Sequence, residues 1–282
     1  MGQGPLQQKY ERLQDMLSSC GSLLVAFSGG VDSTFLLAAA HDALGEKACA
    51  ATVRAPVFTD RELREADRFC RERRIRHIHL EMDPWALEDF TRNPPDRCYH
   101  CKKAMCELLL NAAREHRVKH IAHGANVDDL GDHRPGLRAA REAGVLSPLV
   151  DAELTKAEIR RLSKNMGLAA WDLPSRACLA SRVPYGSPVT PAKLRMVEEA
   201  EDFLMNAGFS RVRVRHHGEI ARIEVPTGDF PRLLEEGFRK ILVARLLKTG
   251  FRHVAMDLEG LVSGSLNRVF SKAEVPSSGG KE

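Results

Sequence analysis

"LLVAFSGGVDSTFLLAAAHDAL", residues Leu23–Leu44, is the stretch on which the fold class turns. A short apolar run stops at a serine and two glycines, and from Val31 the apolar residues take helical period. The stretch reads as strand, tight turn, helix. A helix that begins at a glycine turn aims free backbone amides and its positive dipole end at the turn, which suits an anion. Glycine lets backbone approach a phosphate closely, so Gly29, Gly30 and the Val31 amide are candidate donors, joined by the hydroxyls of Ser28 and Ser33. No lysine stands next to the closing serine as a Walker motif requires, which disfavours cleavage at the γ-phosphate.

Outward from this unit, strand and helix patterns alternate. "ACAATVRA" and "IRHIHLEM" read as strands on either side of the amphipathic "TDRELREADRFCRERR", for which Thr59 or Asp60 is the candidate cap. "RCYHCKKAMCELLLNAAREHR" reads as a helix and "KHIAHGAN" as a fourth strand ending in a glycine loop. In "TKAEIRRLSKNMGL", Thr155 and Glu158 have capping-box spacing. The alternation predicts an α/β fold: a parallel sheet with helices on both faces over residues 1–175. Residues 176–268 change character: a helix over "TPAKLRMVEEAEDFLMNAGF", a hairpin over "RVRVRHHGEIARIEV" turning at "HHGE", and a strand in "FRHVAMDL" predict a smaller α+β domain. The tail 269–282 is expected to be disordered.

The 282 residues exceed one average domain, and 43% hydrophobic with 28% charged is ordinary for a globular protein. A formal charge of +4 is mildly basic; it suits an anionic substrate but gives little support to a nucleic-acid binder. No apolar run is long enough for a membrane span or a secretory signal. Seven cysteines without such a signal are expected to be reduced thiols in a cytoplasmic protein.

Three further stretches carry chemistry. The loop "HGANVDDLGDHRPG" follows the fourth strand, so it should face the same crevice as the glycine turn. Gly124 and Asn126 are assigned to the nucleotide, and Asp128, Asp129 and Asp132 are candidates to ligate Mg²⁺ or orient a ribose. "WDLPSRACLASRVPYG" sets Cys178 in a turn-like segment between Arg176 and Arg182, cations that can raise its thiolate fraction. In "RVRVRHH", Arg211, Arg213, Arg215 and His217 share one strand face, about 7 Å apart in succession, which suits a phosphate held between guanidinium forks. Glu201, on the preceding helix, is read as a surface residue, with metal binding as the alternative.

Taken in order, "SGGVDS", "GANVDDLGDHRPG", "PSRACLASRVPYG" and "RVRVRHHGEIARIEV" closely resemble the LarE family of ATP-dependent sulfur transferases, members of the PP-loop ATP pyrophosphatases. The resemblance runs from about residue 10 to about residue 268. It implies that Asp32 helps place Mg²⁺ and pyrophosphate. It implies a pyridinium biscarboxylic acid mononucleotide as substrate, whose carboxylates are adenylated by ATP and become thiocarboxylates for a nickel-pincer cofactor. Arg213 and Arg215 are expected on the substrate phosphate, with Ser181 and Arg182 lining the same pocket. By the same resemblance Cys178 either gives up its own sulfur, becoming dehydroalanine, or shares a [4Fe–4S] cluster with Cys98 and Cys101. The C-x-x-C pair at a helix start fits the second route, with a redox dithiol as its rival; Cys20, Cys49, Cys70 and Cys106 are expected to be core thiols. A homo-oligomer and a nickel-inserting partner are also implied, and neither nucleic acid nor membrane is expected as a partner. A tRNA-thiolating enzyme and an amidating ligase of the NAD or GMP synthetase kind are the competing readings.

Overall fold

A computed structural model of the chain describes residues 4–131, 135–174, 177–262 and 265–269. Asp132 and Arg176, two of the candidate residues, and the tail from residue 270 lie outside these. The chain divides into two compact units, Met1–Phe90 with Asp96–Arg176, and Thr91–Pro95 with Ala177–Glu282.

The first unit runs α1 (Pro5–Ser19), β1 (Leu23–Ala26), α2 (Val31–Leu44), β2 (Ala48–Arg54), α3 (Asp60–Glu72), β3 (Arg76–Glu81), α4 (Glu88–Thr91), α5 (Arg97–Glu115), β4 (His120–His123), α6 (Pro135–Glu142), α7 (Pro148–Asp151) and α8 (Lys156–Asn165). The four strands are parallel in the order β3-β2-β1-β4, and Leu146 pairs with Ala122 at the β4 edge. Leu23 and Val25 of β1 pack into one core with α1, α2 and α8, while Leu24 points to the other face, against Leu109 and Ala112 of α5. A strand buried on both faces needs a continuous apolar run, which "LLVA" supplies. Phe35 to Ala40 of α2 are all fully buried, so this helix is apolar all round and has no stripe. The anticipated capping box forms between Thr155 and Glu158 on α8, and Thr59, one of the two candidate caps of α3, makes a second with Glu62.

The chain moves outward from β1 to β2 and β3, then returns to lay β4 on the other side of β1. The carboxyl ends of β1 and β4 therefore flank the topological switch point, where open α/β sheets hold ligands.

The second unit contains α9 (Pro191–Asn206), β5 (Arg213–His217), β6 (Ile220–Glu224), α10 (Phe230–Leu234), α11 (Glu236–Lys248) and β7 (His253–Met256). β5 and β6 form the antiparallel hairpin, and β7 adds parallel to β6. A parallel addition requires a crossover, and α10 and α11 provide it. Neither helix is anticipated from the sequence, because Phe238, Ile241, Leu242, Leu246 and Leu247 spread around α11 instead of forming one stripe. Thr91–Pro95 joins this unit through Asn93, whose side chain donates to the carbonyls of Pro184 at 2.7 Å and Ser187 at 2.8 Å. That clamp fixes the loop after the Cys178 segment. No helix among the described residues is long and apolar enough to cross a membrane.

Candidate active site

The glycine turn closes on itself through its serines. Ser28 Oγ lies 3.1 Å from Ser33 Oγ, the Ser28 amide donates to Ser33 Oγ at 3.3 Å, and Ser33 Oγ donates to the Gly30 carbonyl at 3.2 Å. Gly29 has φ +71°, where a side chain is strained, and an added Cβ there would already touch Ala66 of α3 at 3.6 Å. The two serines thus hold the shape of the turn that leads into α2. Asp32, in the first turn of α2, binds the ammonium of Lys156 with one carboxylate oxygen; the other, Oδ1, is buried without a hydrogen-bond partner. An acceptor left bare beside an anion-binding turn is what a divalent cation would satisfy.

Lys156 opens α8, and nothing in its sequence neighbourhood singles it out as a site residue; the capping box marks a helix start there without saying what the start faces. Its amide donates to Asp128, so Asp128 caps α8 from the β4 loop. Asn126 is buried and organises that loop: its side-chain oxygen accepts from the Asp128 amide at 2.9 Å and its amide donates to Asp129 Oδ2 at 3.0 Å. The Asp128 carboxylate is therefore engaged by α8 and that of Asp129 by the loop's own backbone. His123, at the end of β4, is bonded to Ser147 at 2.9 Å, and burial followed by the Lys102 charge pushes its pKa down to about 3, so the ring is neutral.

The two loops touch at Gly124. A Cβ there would lie 2.7 Å from the Ser33 backbone nitrogen and 3.0 Å from the Asp32 carbonyl carbon. Both are backbone atoms of the first turn of α2, so nothing yields cheaply. Gly124→Ala is expected to raise the KM for ATP at least tenfold while the chain stays folded, as read by initial rates and circular dichroism.

All seven cysteines are thiols. Cys49, Cys70 and Cys106 are buried, and burial raises the Cys106 thiol and, with Asp67, pushes Cys70 to about 12. Cys20 is partly buried against the first core and likewise raised. These four are poor nucleophiles. Cys98 is exposed and Cys101 half-buried at the start of α5, three residues apart and so on one helix face. Cys178, also half-buried, precedes a single 3₁₀ turn, Leu179–Arg182.

Arg182 meets the cysteine segment through backbone carbonyls. It is 7% exposed and forms a bidentate ion pair with Glu201, at 2.8 and 2.9 Å, while its remaining nitrogen donates to the Ala177 carbonyl at 2.6 Å and the Cys178 carbonyl at 3.3 Å. Its charge is answered by Glu201, and it holds the backbone of the cysteine segment. Glu201 is accordingly no surface residue: it is 4% exposed and also accepts from the Val214 amide at 2.9 Å, the open edge of β5. Ser181 takes part through its hydroxyl to Arg182 and its carbonyl to Arg215.

Arg213 and Arg215 share a face of β5, but their circumstances differ. Arg215 is 3% exposed and fully engaged: two nitrogens on Glu224 at 2.9 and 3.1 Å, one on the Ser181 carbonyl at 2.7 Å, and Ser265 beyond. Glu224 is shared with Arg222, which also faces Asp257. Four guanidiniums (Arg182, Arg213, Arg215, Arg222) thus meet three carboxylates (Glu201, Glu224, Asp257). The unmatched one is Arg213, whose bond to the Val262 carbonyl is 3.5 Å long and which pairs with no carboxylate among the described residues. Burial, then the Arg182 and Arg215 charges, lower its pKa. Arg211 is exposed outside the strand.

The two arginines are therefore expected to fail differently. Arg213→Ala should raise the KM for a phosphate-bearing substrate by about 1.5–3 kcal/mol and leave a phosphate-free analogue unaffected. Arg215→Ala strips the buried Glu224 of its main partner and should cost about 3–5 kcal/mol of stability, read from the denaturant midpoint.

A parallel sheet with a glycine turn after β1, an acid inside that turn and no Walker lysine is the fold and nucleotide site of the PP-loop class. No family model matches the chain. It is 34% identical, over 96% of its length and 98% of the relative's, to the pyridinium-3,5-bisthiocarboxylic acid mononucleotide synthase of Lactiplantibacillus plantarum. It is 38% identical over 95% of its length to an uncharacterised protein of Synechocystis that it covers completely. A chain of the glutamine-hydrolysing GMP synthase of Archaeoglobus fulgidus is 26% identical over 67% of this chain and 64% of its own. The chain belongs to the LarE family of sulfur transferases.

Proposed function

We propose that this enzyme uses ATP to adenylate a carboxylate of a pyridinium biscarboxylic acid mononucleotide and then exchanges the AMP for sulfur, giving a thiocarboxylate. The observation that carries the reading is Asp32, with Lys156 on one oxygen and the other buried and bare, set in a turn built for phosphate. The substrate is taken from the name of the Lactiplantibacillus relative, and the unmatched charge of Arg213 supports a phosphate on it.

In the first step the substrate carboxylate attacks the α-phosphorus of ATP, a carboxyl–phosphate bond forms, and the α–β bridge breaks to release pyrophosphate. The α2 amides and Lys156 face the charge that develops there. Mg²⁺ fits the bare Asp32 Oδ1; it would neutralise the leaving pyrophosphate. In the second step a sulfur nucleophile adds to the acyl carbon and AMP departs with the electron pair of the broken C–O bond. Cys178 lies on a backbone that Arg182 and Asn93 hold in place, and it stands at this step. By the family resemblance, Cys98 and Cys101 on one face of α5 are taken with Cys178 as the thiolates that would hold a [4Fe–4S] cluster. Bound by these thiolates, the group would supply the sulfur nucleophile of the second step, drawn from an inorganic sulfide source.

The test is product analysis with ATP, Mg²⁺ and the mononucleotide. AMP and pyrophosphate should form only when the carboxylate substrate is present. ADP and phosphate, or AMP formed without it, would overturn the reading. An amidating ligase would share the adenylation but would leave the accessible thiols Cys98, Cys101 and Cys178 without a role.

A further inference from the structure

Away from the phosphate turn, the outer edge of the first sheet gathers a group of side chains that the proposed reaction does not use. β3 is the edge strand, and His77 and His79 stand two residues apart on its α3-facing side. Asp67 of α3 reaches both: its Oδ1 lies 3.1 Å from His77 Nδ1 and 3.3 Å from His79 Nε2. His77 Nε2 is 2.7 Å from Thr52 Oγ1, and Thr52 Oγ1 donates to the Phe27 carbonyl at 2.7 Å. On the far side Arg54 Nε donates to His79 Nδ1 at 3.1 Å, and Arg54 Nη2 to Asp67 Oδ2 at 3.3 Å.

The hydrogen atoms along this chain can be counted. Thr52 has one hydroxyl proton and a neutral His77 one N–H, so two protons serve three contacts; with Thr52 donating to the Phe27 carbonyl, His77 donates Nε2–H to Thr52. A neutral ring has no second proton, and its Nδ1 lone pair then faces the Asp67 carboxylate at 3.1 Å, two acceptors in contact. A second proton on His77 would put a cation on a side chain only 9% exposed, next to a carboxylate that Arg54 already neutralises. A metal ion removes the conflict. Separations of 3.1 and 3.3 Å match those between donors sharing one ion at about 2.0–2.1 Å. The Thr52 bond is also the usual support for a ligating histidine, fixing the ring by its other nitrogen.

We propose that His77 Nδ1, Asp67 and His79 form a binding site for a divalent cation of the zinc class, tying α3 to the edge strand β3. Imidazole and carboxylate donors select zinc over magnesium or calcium. Arg54 is the built-in competitor. It holds His79 Nδ1 as an acceptor, which keeps the proton on Nε2; when Arg54 swings out, the proton moves to Nδ1 and Nε2 is freed to ligate. No proton is released overall. Thr52 and Phe27 connect the site to the residue before Ser28, so its occupancy bears on the root of the phosphate turn.

The experiment uses the full chain with Cys98, Cys101 and Cys178 all replaced by serine, which removes the candidate cluster thiols as competing zinc ligands. Calorimetric titration with zinc chloride should show one site. Thr52→Val should weaken it about 10–100-fold, and Arg54→Met should tighten it. His79→Gln, at an accessible position that spares folding, should abolish it, as should His77→Gln if that chain folds. Absence of zinc binding in this triple variant would overturn the proposal. So would binding of unchanged affinity in His79→Gln.

Discussion

Asp32→Asn is expected to lower the rate of AMP formation on the order of 10²–10³-fold or more while leaving the fold intact. The substitution is isosteric, so α2 and the turn keep their packing. What changes is charge: Lys156 loses its carboxylate partner, and the buried Oδ1 position loses the negative charge that suits it to a divalent cation. Both losses fall where pyrophosphate develops charge as it leaves. The check is single-turnover AMP formation at saturating ATP, with thermal unfolding as the folding control. An activity within a few-fold of the parent would mean that Asp32 only anchors Lys156.

Cys178→Ser is expected to abolish sulfur transfer and to leave adenylation standing, because the first step needs no thiol. If the cluster route operates, Cys98→Ala and Cys101→Ala behave the same way and all three variants lose the broad visible absorbance of an iron–sulfur protein. The intact mass of the parent polypeptide then stays constant over many turnovers with sulfide supplied. If Cys178 is sacrificed instead, its thiolate attacks the acyl carbon, AMP leaves, and loss of the α-proton breaks its Cβ–S bond. The polypeptide would then lose the mass of H₂S once, and Cys98→Ala and Cys101→Ala would remain active. Anaerobic intact-mass measurement of the four proteins separates the two routes.

The local part of this architecture was legible in the sequence because it is written in short-range periodicity. The apolar run of β1, the glycine turn and the helical period from Val31 define one unit, and Thr155 with Glu158 marks the start of α8 unaided. The hairpin turn at "HHGE" even fixes the register that sets Arg213 opposite Glu224. That register places a carboxylate across the ladder from these arginines. The rest was hidden because it depends on pairs far apart in the chain. Lys156 meets Asp32 from 124 residues away, and Asn93 clamps a loop some 90 residues on. Sequence proximity was also misleading: Arg182 lies close to Cys178, but its guanidinium is taken by Glu201 from α9. α11 is not legible in the sequence because an apolar pattern spread around a helix has no period to detect.

The most direct test of sulfur transfer follows one anaerobic turnover with ATP, Mg²⁺, sulfide and the pyridinium biscarboxylic acid mononucleotide, resolving the small molecules by mass spectrometry. The product is predicted to be heavier than the substrate by the difference between sulfur and oxygen, with one AMP and one pyrophosphate for each sulfur gained. A product carrying nitrogen in place of oxygen, or AMP released with the substrate returned unchanged, would contradict it.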